Sequence, residues 1–110
     1  MKAVVAIMKS AVAAEPLDPL LAAINLYRFA GEAYDDMPAD LTEDEEADAF
    51  KRLCADPDAV LTAWDKPATT HEGAVAALRL AQQELEADGE PIVKSLVTAA
   101  LRYFEGRTNA

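Results

Sequence analysis

Residues 67 to 89 read PATTHEGAVAALRLAQQELEADG, and this stretch carries the start and stop signals of one complete helix. Thr69 is the expected N-cap, with Glu72 three residues on reaching back to its backbone N–H, the reciprocal pair of a capping box. Gly89 is the expected left-handed residue that ends the helix. Between these signals Ala74, Val75, Leu78, Ala81 and Leu85 are expected on one face, with Gln82, Glu86 and Asp88 facing outward. A helix so well delimited marks a folded domain and locates no chemistry.

Working outward, the turn Gly89-Glu90-Pro91 leads into PIVKSLVTAALRYFE, the most apolar segment of the chain, in which Ile92, Val93, Leu96, Val97, Ala100, Tyr103 and Phe104 recur at helical steps. Gly106 is expected to cap it. So short a turn makes the segments 69–88 and 90–105 an antiparallel hairpin. Upstream, residues 17–37 read as another long helix, with Asp18 as N-cap and Pro19 at the first helical position, where its missing N–H costs nothing. Its apolar residues form two rows, Leu20, Ile24, Tyr27, Gly31 and Tyr34 on one and Ala22, Leu26, Phe29 and Ala33 beside it. Thr42-Glu43-Asp44-Glu45 is a capping box that opens an acidic helix over 42–55, and Asp56-Pro57 repeats the cap-then-proline signal to open a short helix over 57–65.

No segment alternates convincingly with period two, and 24 alanines against four glycines suit closely approaching helices. The expected fold class is therefore all-α, a small helical bundle of three long helices plus a short acidic helix and a short connecting helix. At 110 residues the chain is expected to be one domain, 1–110, with 1–16 as a lead-in. The lead-in AVVAIM reads as a short helix in preference to a lone strand, since Ala3, Ile7 and Ala11 continue in helical steps.

The net charge of −10 is unevenly spread. Eleven acids (Glu32, Asp35, Asp36, Asp40, Glu43, Asp44, Glu45, Glu46, Asp48, Asp56, Asp58) face two bases, Lys51 and Arg52, between residues 32 and 58, while nine acids and eight bases share the rest of the chain. Direct binding to nucleic acid or an anionic membrane is disfavoured, because phosphate contacts need clustered Lys and Arg. The six-residue apolar run from Ala3 to Met8, ended by Lys9, is shorter than the ~7–15 residues of a secretory signal. No stretch approaches the ~20 apolar residues of a membrane span. Cys54 is the single cysteine, so no intrachain disulfide can form, and a reducing cytoplasm is the expected setting.

The acidic stretch fails as a calcium loop because no glycine falls between Asp35 and Asp48. Diiron bundles need a Glu-x-x-His pair, and the only histidine, His71, follows Ala68 at that spacing. A magnesium-dependent nucleotide phosphohydrolase would need carboxylate pairs on two helices. Glu43-x-x-Glu46 and Glu45-x-x-Asp48 mimic one half of that arrangement, and the helix from Thr70 to Asp88 offers no matching Glu-x-x-Asp. His71 reads as an exposed first-turn residue, since Thr70 beside it in sequence cannot converge on it as a nucleophile. Tyr27, Phe29, Tyr34, Phe50, Trp64, Tyr103 and Phe104 are spaced as core residues. Phosphate-binding glycine loops and zinc-ligand spacings are absent from the sequence.

The string from Pro67 to Gly106 resembles the C-terminal half of a loose group of small, mainly α-proteobacterial helical proteins of unknown function. Pro67, Ala68, Thr69, Thr70 and Gly73 match its Pro-Ala-Thr-Thr-x-x-Gly turn, and Leu96, Val97, Leu101 and Phe104 match its closing helix. The resemblance implies a helical fold and a bacterial cytosolic origin, and it brings no catalytic residues. The expected function is a non-enzymatic interaction or adaptor module that presents an acidic face to a basic protein partner. Asp35, Asp36, Asp40, Glu43, Asp44, Glu45, Glu46 and Asp48 are the expected binding residues, with no catalytic residue, no metal ligand and no cofactor. The alternatives are the phosphohydrolase, using Glu43 and Glu46, and a purely structural oligomer whose acidity serves solubility. A homodimer is expected because the first and last helices both offer wide apolar arcs.

Overall fold

The computed structural model describes residues 18–87 and 89–108. Among them every regular element is helical: α1 (Pro19–Asp35), α2 (Glu43–Phe50), a π-helical turn (Lys51–Ala55), α3 (Asp56–Thr62), α4 (His71–Glu86) and α5 (Glu90–Thr108). The fold is all-α. The lead-in 1–16, its expected helix and the outward placement of Asp88 lie outside the described residues.

The core forms where α4 and α5 pack as a hairpin, with α1 against α4 and α3 against α5. Leu20 and Ile24 of α1, Leu61 of α3, Leu80 of α4, and Ile92 and Leu96 of α5 are buried there, with Trp64, Tyr103 and Phe104 partly buried around them. The buried face of α4 is Gly73, Ala74, Ala77, Leu80 and Ala81. That face is rotated from the expected one: Leu78 and Leu85 are exposed. The small side chains of Ala74, Ala77 and Ala81 let α5 come close, where it presents Ala99 and Ala100. A leucine stripe at that seam would hold the two axes apart. The loop ahead of α4 is stitched down as well, Ala68 N–H donating to the Ala99 carbonyl at 3.2 Å. Ser95 Oγ donates to the Thr62 carbonyl at 2.6 Å and ties α3 to α5.

Two of the expected caps form as read. Asp18 Oδ1 accepts from Leu20 N–H at 3.1 Å with Pro19 next. Thr42 and Glu45 make both halves of a capping box, at 3.1 Å and 3.0 Å. The one expected at Asp56 does not form, since no side chain caps α3, and the remaining one forms one residue late. Thr70, not Thr69, caps α4, its Oγ1 accepting from Gly73 N–H at 3.0 Å, and Glu72 takes no part. The choice is made 52 residues away: Asp18, only 4% exposed, takes the Thr70 N–H at 3.1 Å and the Thr70 hydroxyl at 2.7 Å on its Oδ2. One carboxylate thereby joins the N-termini of α1 and α4. Burial alone would raise the Asp18 pKa, but the bonds from Thr70, Thr69 and Leu20 hold it below its ordinary value. Gly73 is required for the approach, since a Cβ there would lie 1.8 Å from Asp18 Oδ2.

The helix ends differ too. α4 closes through Gly89 N–H donating to the Glu84 carbonyl at 2.7 Å, which puts Gly89 two positions past the cap at Ala87 and one past the place of a left-handed C′ residue. Gly106 does not cap α5, which runs through it to Thr108. The acidic helix and the short helix after it, expected as separate pieces, run on from Glu43 to Thr62, because the backbone stays right-handed helical at Phe50, Lys51, Ala55 and Asp56. Pro57 is absorbed by the π turn, in which Asp56 N–H donates to the Lys51 carbonyl five residues back. In an α-helical register the Pro57 ring would press on the carbonyl of Leu53, and the wider turn relieves that clash.

Candidate functional site

A cleft of about 710 Å³ opens between α1, the π turn with its flanking residues, and α4. The π turn brings Leu53, Cys54 and Ala55 to one wall, with Phe50 before them and Asp58 after; α1 supplies Tyr27, Arg28, Gly31, Glu32 and Asp35, and α4 supplies Leu80, Gln83 and Glu84. π turns frequently occur at functional sites.

Two hydrogen bonds bridge α1 and α4 across the cleft. Tyr27 Oη donates to Glu84 Oε1, and Arg28 Nη1 donates to Gln83 Oε1 at 2.8 Å. Partial burial and the Glu84 carboxylate it bonds, reinforced by Asp58 and Cys54, push the Tyr27 phenol far above its usual range, so it stays a neutral donor. The Cys54 thiol is also raised, by burial first and by Asp35 second. That places it away from the lowered pKa of nucleophilic or metal-binding thiolates. Four carboxylates (Glu32, Asp35, Asp58, Glu84) thus share the lining with one cation, Arg28, and with the apolar side chains of Leu53 and Leu80.

The eight expected binding residues are all exposed, and the structure divides their tasks. Glu45 is the return half of the Thr42 capping box, which lowers its pKa through the bonds from the Thr42 backbone and side chain. Asp48 accepts from Arg52 Nε at 2.9 Å. Asp35, Asp36, Asp40, Glu43, Asp44 and Glu46 form no ion pair among the described residues. Asp35 lines the main cleft and also a smaller hollow with Glu46, and Glu46 lines a third hollow with Glu43 and Phe50. One acidic surface therefore runs from Glu84 and Asp58 through Asp35 to Glu43, with the Tyr34 and Phe50 rings edge to face at 5.7 Å along it. Tyr34 is raised by desolvation, with Glu46, Cys54 and Asp35 adding to it.

The sequence signal missed the cleft's α4 wall, since nothing local connects Glu84 to Tyr27. The aromatic residues do not all serve the core: Phe29 is 71% exposed and Phe50 50%. His71 is an exposed first-turn residue, and its ring stands edge to face with Phe104 at 5.8 Å and Tyr103 at 6.5 Å. No group of three or more His, Cys, Asp or Glu among the described residues is placed to hold a metal ion. None of the helices formed by the described residues is long and apolar enough to cross a membrane.

No protein family, curated protein or solved structure matches the chain, so the resemblance carried by the Pro-Ala-Thr-Thr-x-x-Gly turn remains an expectation.

Proposed function

We propose that this protein is a non-enzymatic binding module of the cytoplasm that docks a basic protein partner on the acidic surface running from the cleft to α2. The observation that carries this reading is the set of six exposed carboxylates, Asp35, Asp36, Asp40, Glu43, Asp44 and Glu46, that no cation among the described residues neutralises. Unpaired surface charges of one sign produce a field that reaches about 8 Å at physiological ionic strength, enough to steer and orient a partner of opposite sign. The reading includes a bundle built around α1, α4 and α5. It also includes a homodimer through the strip of α1 that carries Leu26 and Phe29, which are 59% and 71% exposed three residues apart.

The test is capture from a bacterial lysate at low and high salt with the native chain and with a variant in which those six acids become Gln or Asn. Glu45 and Asp48 are left intact because they hold the capping box and the Arg52 pair. A partner held at low salt by the native chain, and lost from the variant, is the expected result. Equal capture by the two chains would remove the acidic surface from the function.

A further inference from the structure

We propose that the cleft between α1, the π turn and α4 is the anchor site of this acidic surface, and that it receives one face of a basic amphipathic helix from the partner, laid against the backbone at Gly31. The inference rests on the binding-module reading and adds the occupant's chemistry and its point of closest approach.

The first argument is Gly31 itself. It sits inside α1, where glycine is an unfavourable helix residue, and it lines the cleft. A Cβ at Gly31 would meet no described heavy atom within 4 Å, in contrast to Gly73, where a Cβ would overlap Asp18. Nothing among the described residues therefore requires the missing side chain. Its effect is to leave the α1 backbone open from the cleft side, the arrangement that permits close approach of another backbone.

The second argument is charge. Glu32, Asp35, Asp58 and Glu84 line the cleft together with Leu53 and Leu80, and the one cation in the lining, Arg28, is already engaged with Gln83. An occupant complementary to this lining brings apolar side chains to Leu53 and Leu80 and Lys or Arg to the lip. The third argument concerns backbone. All three walls are helical, so their N–H and C=O groups are spent within their own ladders and offer an extended peptide no strand edge to pair with. A helix satisfies its own backbone and needs only side-chain complementarity. About 710 Å³ fits a few side chains from one helix face, and the acidic surface continues beyond the cleft to Glu43 to engage the rest.

Cys54, the only cysteine, lines the cleft and reports on its occupancy. The probe is an 18-residue peptide with Leu at helical i, i+3, i+4 and i+7 spacing and Lys elsewhere, and the control replaces each Leu by Ser. Affinity is read by fluorescence anisotropy and occupancy by the rate at which a neutral maleimide labels Cys54. The Leu/Lys peptide is expected to bind about tenfold more tightly than the Ser control and to slow labelling. Gly31→Ala is expected to raise the thermal midpoint of the free protein while weakening the Leu/Lys peptide about tenfold, and Gly31→Leu to abolish protection of Cys54. A stabilised Gly31→Ala with undiminished peptide affinity would overturn the inference.

The outcomes separate the two readings. Salt-sensitive binding with Cys54 unprotected would overturn the cleft and leave the acidic surface standing. No binding of either peptide at low salt would overturn both. Protection by spermine as strong as by the peptide would replace the helix with a small polycation. Protection that rises with the protein's own concentration, without peptide, would put a second copy in the cleft.

Discussion

Asp18 and the pair Asp36 and Asp40 carry the same chemistry in opposite settings. Asp18 is buried, and both its oxygens accept from donors on two helices, so its charge is spent holding the N-terminus of α1 to that of α4. Asp36 and Asp40 are exposed and have no ion-pair partner among the described residues. What separates a structural carboxylate from an available one is the number of donors that the fold converges on it, and net charge carries no trace of that difference.

The sharpest way to break this comparison is Gly73→Ala. The added methyl would fall 1.8 Å from Asp18 Oδ2, an oxygen fixed by two bonds from Thr70, so the junction must open. A loss of about 3 kcal/mol is expected, the upper part of the range for overpacking, measured by urea unfolding. No loss, or the gain expected of a Gly→Ala change at an exposed helix position, would mean that Asp18 is not held there.

Asp18→Asn comes next, at about 2 kcal/mol, because the amide group that replaces one oxygen cannot accept and charge-assisted bonds are lost. Its pH dependence sharpens the assignment. The folded-state pKa of Asp18 lies below its ordinary value of 3.8, so the stability it contributes is complete above that value and is lost as the pH falls through the lowered folded value. The gap between the stability curves of native and Asp18→Asn chains is expected to narrow as the pH falls below 3.8 and through the lowered folded value. A gap that did not narrow on acidification would assign the effect to packing instead of charge.

The smallest effect belongs to the exposed group. Asp36→Asn combined with Asp40→Asn is expected to change unfolding free energy by less than about 0.5 kcal/mol. A cost comparable to that of Asp18→Asn would erase the distinction between the two regions and weaken the case for a free acidic surface.

What could be read along the chain was the local chemistry. Asp18-Pro19 and the Thr42–Glu45 box set their helix starts within four residues of sequence, and both formed as expected. Local rules favour Thr69, where Glu72 would complete a capping box, and a carboxylate 52 positions away selects Thr70 instead. The exposure of the eight acids was legible because so dense a run of carboxylates stays in water. The cleft beside them was not, since Tyr27–Glu84 and Arg28–Gln83 join residues more than 50 positions apart. Leucine spacing points to a face through Leu78 and Leu85, which are exposed, whereas the buried face is made by Ala74, Ala77 and Ala81 with Leu80.

The five-residue hydrogen bond from Asp56 back to Lys51 has a consequence for the chain's geometry as a rod. Each residue in an α-helix advances the side-chain direction by about 100°, so one residue accommodated as an extra in a single wide turn leaves the phase of the two flanking helices nearly undisturbed. Ala49 on one side and Leu61 on the other both point inward, which requires their phases to agree across that turn. The turn is therefore a place where the chain carries one residue more than an unbroken α-helix needs. A deletion of one residue within Lys51–Ala55 would restore the α-helical period and keep both helices in register, whereas the same deletion one turn to either side would swing the acidic turn of α2 about a quarter of the way around the axis.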